Sequence, residues 1–142
     1  MIGPDAPIAR VMDGYTAAVL AKDVEAFVSL YDPGVRVFDL WGRWSYDGIE
    51  AWREMAAGWL GSLGDSRVAV EWENVQTTVR NEVAVAHAFV TYRHLSAGGE
   101  ERHAMRNRLT WVLRPVDGDW KIVHEHTSAP VDLETSRVLL RP

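Results

Sequence analysis

Residues 117–128 read Asp117-Gly-Asp-Trp-Lys-Ile-Val-His-Glu-His-Thr-Ser128, and the fold hangs on this stretch. It opens on a turn pair, Asp117-Gly118, and then alternates. Trp120, Ile122, His124, His126 and Ser128 share one face; Lys121, Val123, Glu125 and Thr127 share the other. The preceding stretch, Arg106 to Arg114, alternates in the same way, so the two are predicted to form a hairpin turning at Asp117-Gly118. A two-residue turn sets Thr110 opposite Glu125 and Trp111 opposite His124; a three-residue loop sets Thr110 opposite His124. An acid between two histidines on one strand is where chemistry is expected first.

Working upstream, Ser96-Ala-Gly-Gly99 is a turn and Val83–Leu95 a strand, separated by Asn81-Glu82 from a long strand over Arg67–Arg80. In that strand Val68, Val70 and Trp72 align, and then Val75, Thr77 and Val79 take the opposite phase, which predicts a bulge near Glu73-Asn74. Before it, the period is helical. Asp5-Ala-Pro7 opens a helix carrying Ile8, Val11, Met12, Tyr15, Ala18 and Val19, and Asp23 caps a short second one. Ile49, Trp52, Ala56, Trp59, Leu60 and Leu63 stripe a third. Between the second and third lie a short strand, Val35–Leu40, and an aromatic loop, Trp41-Gly-Arg-Trp-Ser-Tyr46. Helices first and long strands after predict an α+β fold, a cone-like barrel in which a curved antiparallel sheet packs on three N-terminal helices. The tail, 131–142, is expected to dock on the domain or on a partner through Val138-Leu-Leu140.

With 142 residues, 47% of them hydrophobic, the chain fits one domain over 1–142, its core at about 8–130. A net charge of −5 argues against nucleic acid as a partner. The sequence shows no apolar run of membrane-spanning length and no leader pattern, so no membrane is expected either. The absence of cysteine excludes thiolate metal sites and accords with a cytoplasmic location. Seven tryptophans point to a large apolar pocket, an apolar interface, or both.

The order helix, helix, strand, helix, four strands resembles the nuclear transport factor 2-like superfamily, with its ketosteroid isomerases, SnoaL-like polyketide cyclases and the association domain of calcium/calmodulin-dependent protein kinases. Residues 117–130 and Ala97-Gly-Gly99 resemble that association domain. Tyr15, Ala21-Lys-Asp23, Leu30-Tyr31 and Val37-Phe-Asp39 resemble a ketosteroid isomerase, with Tyr15 at its catalytic tyrosine and Asp39 at its catalytic base. Such motifs identify a fold more sharply than an activity.

Periodicity alone leaves the pocket face open: either the face with Arg108, Thr110, Glu125 and Thr127 lines the cavity, or the face with Trp111, Trp120, His124 and His126 is core under the helices. The resemblance selects the polar face and leaves the apolar one for a homodimer contact. Asp39 points where an apolar residue belongs, so burial would raise its pKa as a general base requires; its other reading is a cap on the aromatic loop. Tyr15 is a hydroxyl donor to a carbonyl or a core tyrosine. Glu125 is an acid or base beside Arg108, or half of a structural ion pair. The resemblance implies a substrate-binding set of Arg108, Thr110, Thr127, Val90 and Tyr92, with Trp41, Trp44, Trp59 and Phe38 at wall or mouth. His124 and His126 could reach a metal only with a third ligand such as His87, so no metal is expected. No cofactor is required. The expected function is binding of a small molecule bearing a carbonyl or carboxylate. Cofactor-independent isomerase, cyclase or dehydratase chemistry is one form of it. The alternative is a non-catalytic homo-oligomerisation or ligand-sensing module.

Overall fold

The computed structural model describes residues 5–141. Helix α1 (Ala6–Ala21) carries Pro7 in its first turn, where a missing N–H costs nothing, and buries Ile8, Val11, Met12, Tyr15, Ala18 and Val19. It ends at Lys22 in the left-handed region, whose Nζ donates to the carbonyls of Gly64 and Ser66 at 2.6 and 3.0 Å. Asp23 caps α2 (Val24–Val28) by accepting from the Ala26 N–H at 3.0 Å. Strands β1 (Tyr31–Phe38) and β2 (Tyr46–Asp47) and helix α3 (Ile49–Gly61) follow, then four longer strands: β3 (Arg67–Val79), β4 (Ala84–Leu95), β5 (Glu101–Val116) and β6 (Asp119–Ser128). All six form one curved sheet in the order β2-β1-β6-β5-β4-β3. Neighbours are antiparallel except β1 and β6, which run parallel. The fold is the α+β barrel that the element order predicted.

Two bulges set which side chains face inward. The first, expected from the phase switch, lies in β3: the register shifts between Glu73 and Gln76, with Asn74 at φ 53°. Val68, Val70 and Trp72 on one side of it, and Val75 and Val79 on the other, therefore all pack on the core. The second is in β6 and carries no signal in the alternation. Val116 pairs with Asp119 and Leu113 with Ile122, the register of a two-residue turn. Past Val123 the pairing slips by one, so Trp111 meets Glu125, Thr110 meets His126 and Leu109 meets Thr127.

That extra residue overturns the expected sorting of faces. In β5 the apolar phase points inward: Asn107, Leu109, Trp111 and Leu113 are buried, while Arg108 and Thr110 are exposed on the outer face. In β6 Ile122 is buried, and after the bulge Glu125 and Thr127 are buried with it; His126 is exposed outside. Trp111, expected at a subunit contact, is 0% exposed beneath the helices, and Trp120 packs partly buried against the core. The tail folds back on itself through a Val131–Val138 bridge, and the Arg106 N–H donates to the Leu140 carbonyl at 2.7 Å, so this end does dock on β5. Among the described residues no helix is long and apolar enough to cross a membrane.

Candidate functional site

Between the helices and the inner face of the sheet lies a cavity of about 400 Å3. The helices supply aromatic walls: Tyr15 from α1, Phe27 from α2, Trp52, Met55 and Trp59 from α3. The sheet supplies the polar groups, with Tyr92 and His94 from β4, His103 and Asn107 from β5, and Glu125 from β6. Asp39, Trp41 and Gly42 close one side from the segment after β1, and Tyr46 stands behind them. Gly42 is required there: its φ is +83°, and a Cβ would meet the Tyr46 hydroxyl at 2.7 Å.

Glu125 is the deepest polar group, 2% exposed. Both of its protein donors end on Oε1: the Tyr31 hydroxyl at 2.6 Å and the Trp111 indole N–H at 2.8 Å. Burial pushes its pKa up to about 7; the two hydrogen bonds pull the other way, and nearby Asp39 adds to the rise. Across the cavity the hydroxyls of Tyr15 and Tyr92 are 2.8 Å apart. Burial raises the pKa of both phenols. One hydroxyl must donate to the other, so one O–H of the pair is left to donate elsewhere.

Asp39 is partly buried. Its Oδ1 accepts from the Thr127 hydroxyl at 3.0 Å and its Oδ2 from the Trp41 N–H at 3.3 Å. Burial raises its pKa against the opposing pull of those bonds. The loop-cap contact is thus made, by a carboxyl whose pKa burial raises. At the rim His94 and His103, paired across β4 and β5, stack with ring centroids 4.5 Å apart. Burial lowers the pKa of His94, helped by His103 and Arg102.

Of the residues singled out in the sequence, the structure brings Tyr15, Asp39, Glu125, Tyr92, Trp41 and Trp59 around this cavity. Thr127 is behind Asp39, holding it. Val90 is buried in the core and does not line the cavity. Arg108 and Thr110 are on the outer face, Arg108 donating from Nε to the Ser128 hydroxyl at 3.0 Å, so the expected Arg108–Glu125 anchor does not form. Phe38 faces outward against His124 and His126. Trp44 is 98% exposed, beside a separate outer cleft. Among the described residues no cluster of metal-ligating side chains forms. Sequence reasoning missed Tyr31, Trp111 and Asn107. Asn107 did carry a signal, since it is a polar residue in the apolar phase of Leu109, Trp111 and Leu113.

A family model described as a SnoaL-like domain matches residues 8–132. Among solved structures the chain is similar to an NTF2-like protein of unknown function from Pseudomonas putida, at 23% identity and a TM-score of 0.83, covering 95% of this chain and 94% of that one. It is also similar to a protein from Xanthomonas campestris described as a calcium/calmodulin dependent protein kinase II association domain (18% identity, TM-score 0.77, 93% and 91% covered). A third is Aln2 from a Streptomyces species (13% identity, TM-score 0.77, 88% and 92% covered). At these identities the likeness is one of fold. Among curated proteins none matches the chain.

Proposed function

Because the chain belongs to the SnoaL-like domain family, which includes isomerases and cyclases, we propose that its cavity binds a small, largely apolar carbonyl compound and moves a proton on it. The observation that carries this is Glu125: a carboxyl 2% exposed, with a pKa of about 7, in an aromatic cavity that also holds a phenol pair. A general base works best when its pKa lies near the operating pH. With Oε1 held by Tyr31 and Trp111, Oε2 is the oxygen left to take a proton from the carbon next to the carbonyl. The electron pair of that C–H bond moves onto the carbonyl oxygen, where the spare O–H of the Tyr15–Tyr92 pair donates to it. Protonated Glu125 then returns the proton to the same or another carbon.

The carbonyl half of the sequence expectation is kept and the carboxylate half is dropped. Among the described residues no lysine or arginine lines the cavity, and a second anion beside Glu125 and Asp39 would be repelled. Asp39 is the second carboxyl of the site. Glu125 is the better proton carrier because it is the more deeply desolvated and, among the described residues, keeps one oxygen free of protein donors.

The test is deuterium exchange at the α-carbon of a panel of neutral cyclic ketones, followed by NMR. Exchange above the buffer rate is expected, with Glu125→Gln reducing it to the buffer rate. Tyr15→Phe should slow it on the order of 100-fold, the usual cost of removing one donor to a developing oxyanion. Exchange unchanged in Glu125→Gln would overturn the role of Glu125. Ketones that bind but never exchange would leave the cavity a ligand-sensing site.

A further inference from the structure

Two carboxyls, Glu125 and Asp39, line this cavity, and neither is ion-paired among the described residues. A carboxylate taken out of water needs a proton or a cation beside it. Glu125 sits deepest, with one oxygen saturated by Tyr31 and Trp111, and a proton suits it. Asp39 differs. It is nearer the rim, and each oxygen is held by one neutral donor with a lone pair to spare. Two aromatic side chains, Trp41 and Tyr46, line the cavity with it.

A separate observation points to a ligand with its own hydrogen-bond donor. Asn107 is 5% exposed, lines the cavity, and its Oδ1 has no hydrogen-bond partner among the described residues. Buried acceptors are nearly always satisfied, so one left open on a cavity wall marks where a donor from outside the chain belongs.

We propose that the ligand of this cavity carries a protonated amine, its charge against Asp39 in the aromatic-lined space, with a donor group on it satisfying Asn107. This rests on the reading of the cavity as a small-molecule site and narrows the substrate class to carbonyl compounds bearing a basic nitrogen. The ammonium neutralises the rim carboxylate and leaves Glu125 to carry the proton. Anions are excluded on the same grounds.

Three ligands of one shape decide it: phenethylamine, phenethyl alcohol and phenylacetate, titrated by calorimetry into the intact chain at neutral pH. The amine is expected to bind at least about tenfold more tightly than the alcohol, and phenylacetate not at all. In Asp39→Asn the ratio of amine to alcohol affinity should fall close to one. The wild-type pH series is a second reading that needs no variant. The titratable groups that line this space with Asp39 are Glu125, Tyr15, Tyr46, Tyr92, His94 and His103, and Arg43 stands over the Tyr46 ring from outside the cavity lining. Of these, Glu125 has its pKa near 7. An amine advantage lost in step with protonation of Asp39, followed by carboxyl NMR, supports the proposal; one lost in step with Glu125 would move the seat to Glu125 and overturn it. Alcohol binding as tightly as amine, or a ratio unchanged in folded Asp39→Asn, also overturns it. Ketone exchange is read separately, so an amine preference without exchange would spare this inference and sink the proton-transfer reading.

Discussion

Tyr31 and Trp111 both donate to the same oxygen of Glu125, at 2.6 and 2.8 Å, and this fixes how that carboxyl can act. Donors to the charged form stabilise it, so they hold the pKa at about 7 against burial that would push it higher. They also orient the group, leaving Oε2 without a protein donor among the described residues. Tyr31→Phe removes one donor without opening much space. The Glu125 midpoint in a carboxyl NMR titration is therefore expected to rise above its wild-type value, carrying the pH dependence of ketone exchange upward with it. A midpoint that stays put would mean the Tyr31 hydroxyl does not hold the carboxylate. Tyr31 touches no substrate in this scheme and is a positioning residue.

At the scale of elements, the sequence was legible wherever local patterning decides and silent where a single inserted residue does. Helix starts at Pro7 and Asp23, the stripe of α3 and the β3 bulge could all be read, because each leaves a mark in spacing or cap chemistry. The bulge at Val123 leaves none: the alternation of 117–128 runs through it without a break, yet every side chain beyond it changes face. The polar face that the resemblance selected therefore gives Glu125 the wrong neighbours, Arg108 and Thr110 in place of Trp111 and Asn107. Asp39 was found because it is polar in an apolar phase, and the same criterion applied to Asn107 would have found it. A pair of variants checks the face assignment. Trp111→Phe should cost on the order of 2 kcal/mol in denaturant unfolding, since it opens a void in the core and takes one donor from Glu125. Arg108→Leu should stay within about 0.5 kcal/mol, because its exposed side chain makes one hydrogen bond to Ser128 on the outer face. The reverse ranking would restore the polar face of β5 to the interior.

For the molecule as a whole, a buried acid of this kind ties stability to pH with a definite sign. Glu125 keeps its proton in the folded chain up to about pH 7, whereas unfolded it loses it near the ordinary 4.5. Between those values the folded state binds the extra proton, so stability falls as pH rises, and the loss levels off above about 7. The gap corresponds to a ceiling of about 3 kcal/mol for a fully buried group. Asp39, also raised by burial, acts in the same direction. Glu71 and Asp132 act oppositely: Arg93 and backbone N–H groups hold their pKa values down, so they contribute stability that is lost on acidification below the ordinary carboxylate range. Both are at the surface, where solvent screens the effect. The wild-type chain should therefore be most stable near about pH 5 and decline toward about pH 7.5. Glu125→Gln cannot ionise, and its stability relative to wild type should rise by roughly 1–3 kcal/mol over that interval. Thermal unfolding of both proteins from about pH 5 to 8 measures it. Parallel curves would show that Glu125 ionises no differently folded than unfolded, and a carboxyl with an ordinary pKa could not serve as a proton carrier poised at neutrality.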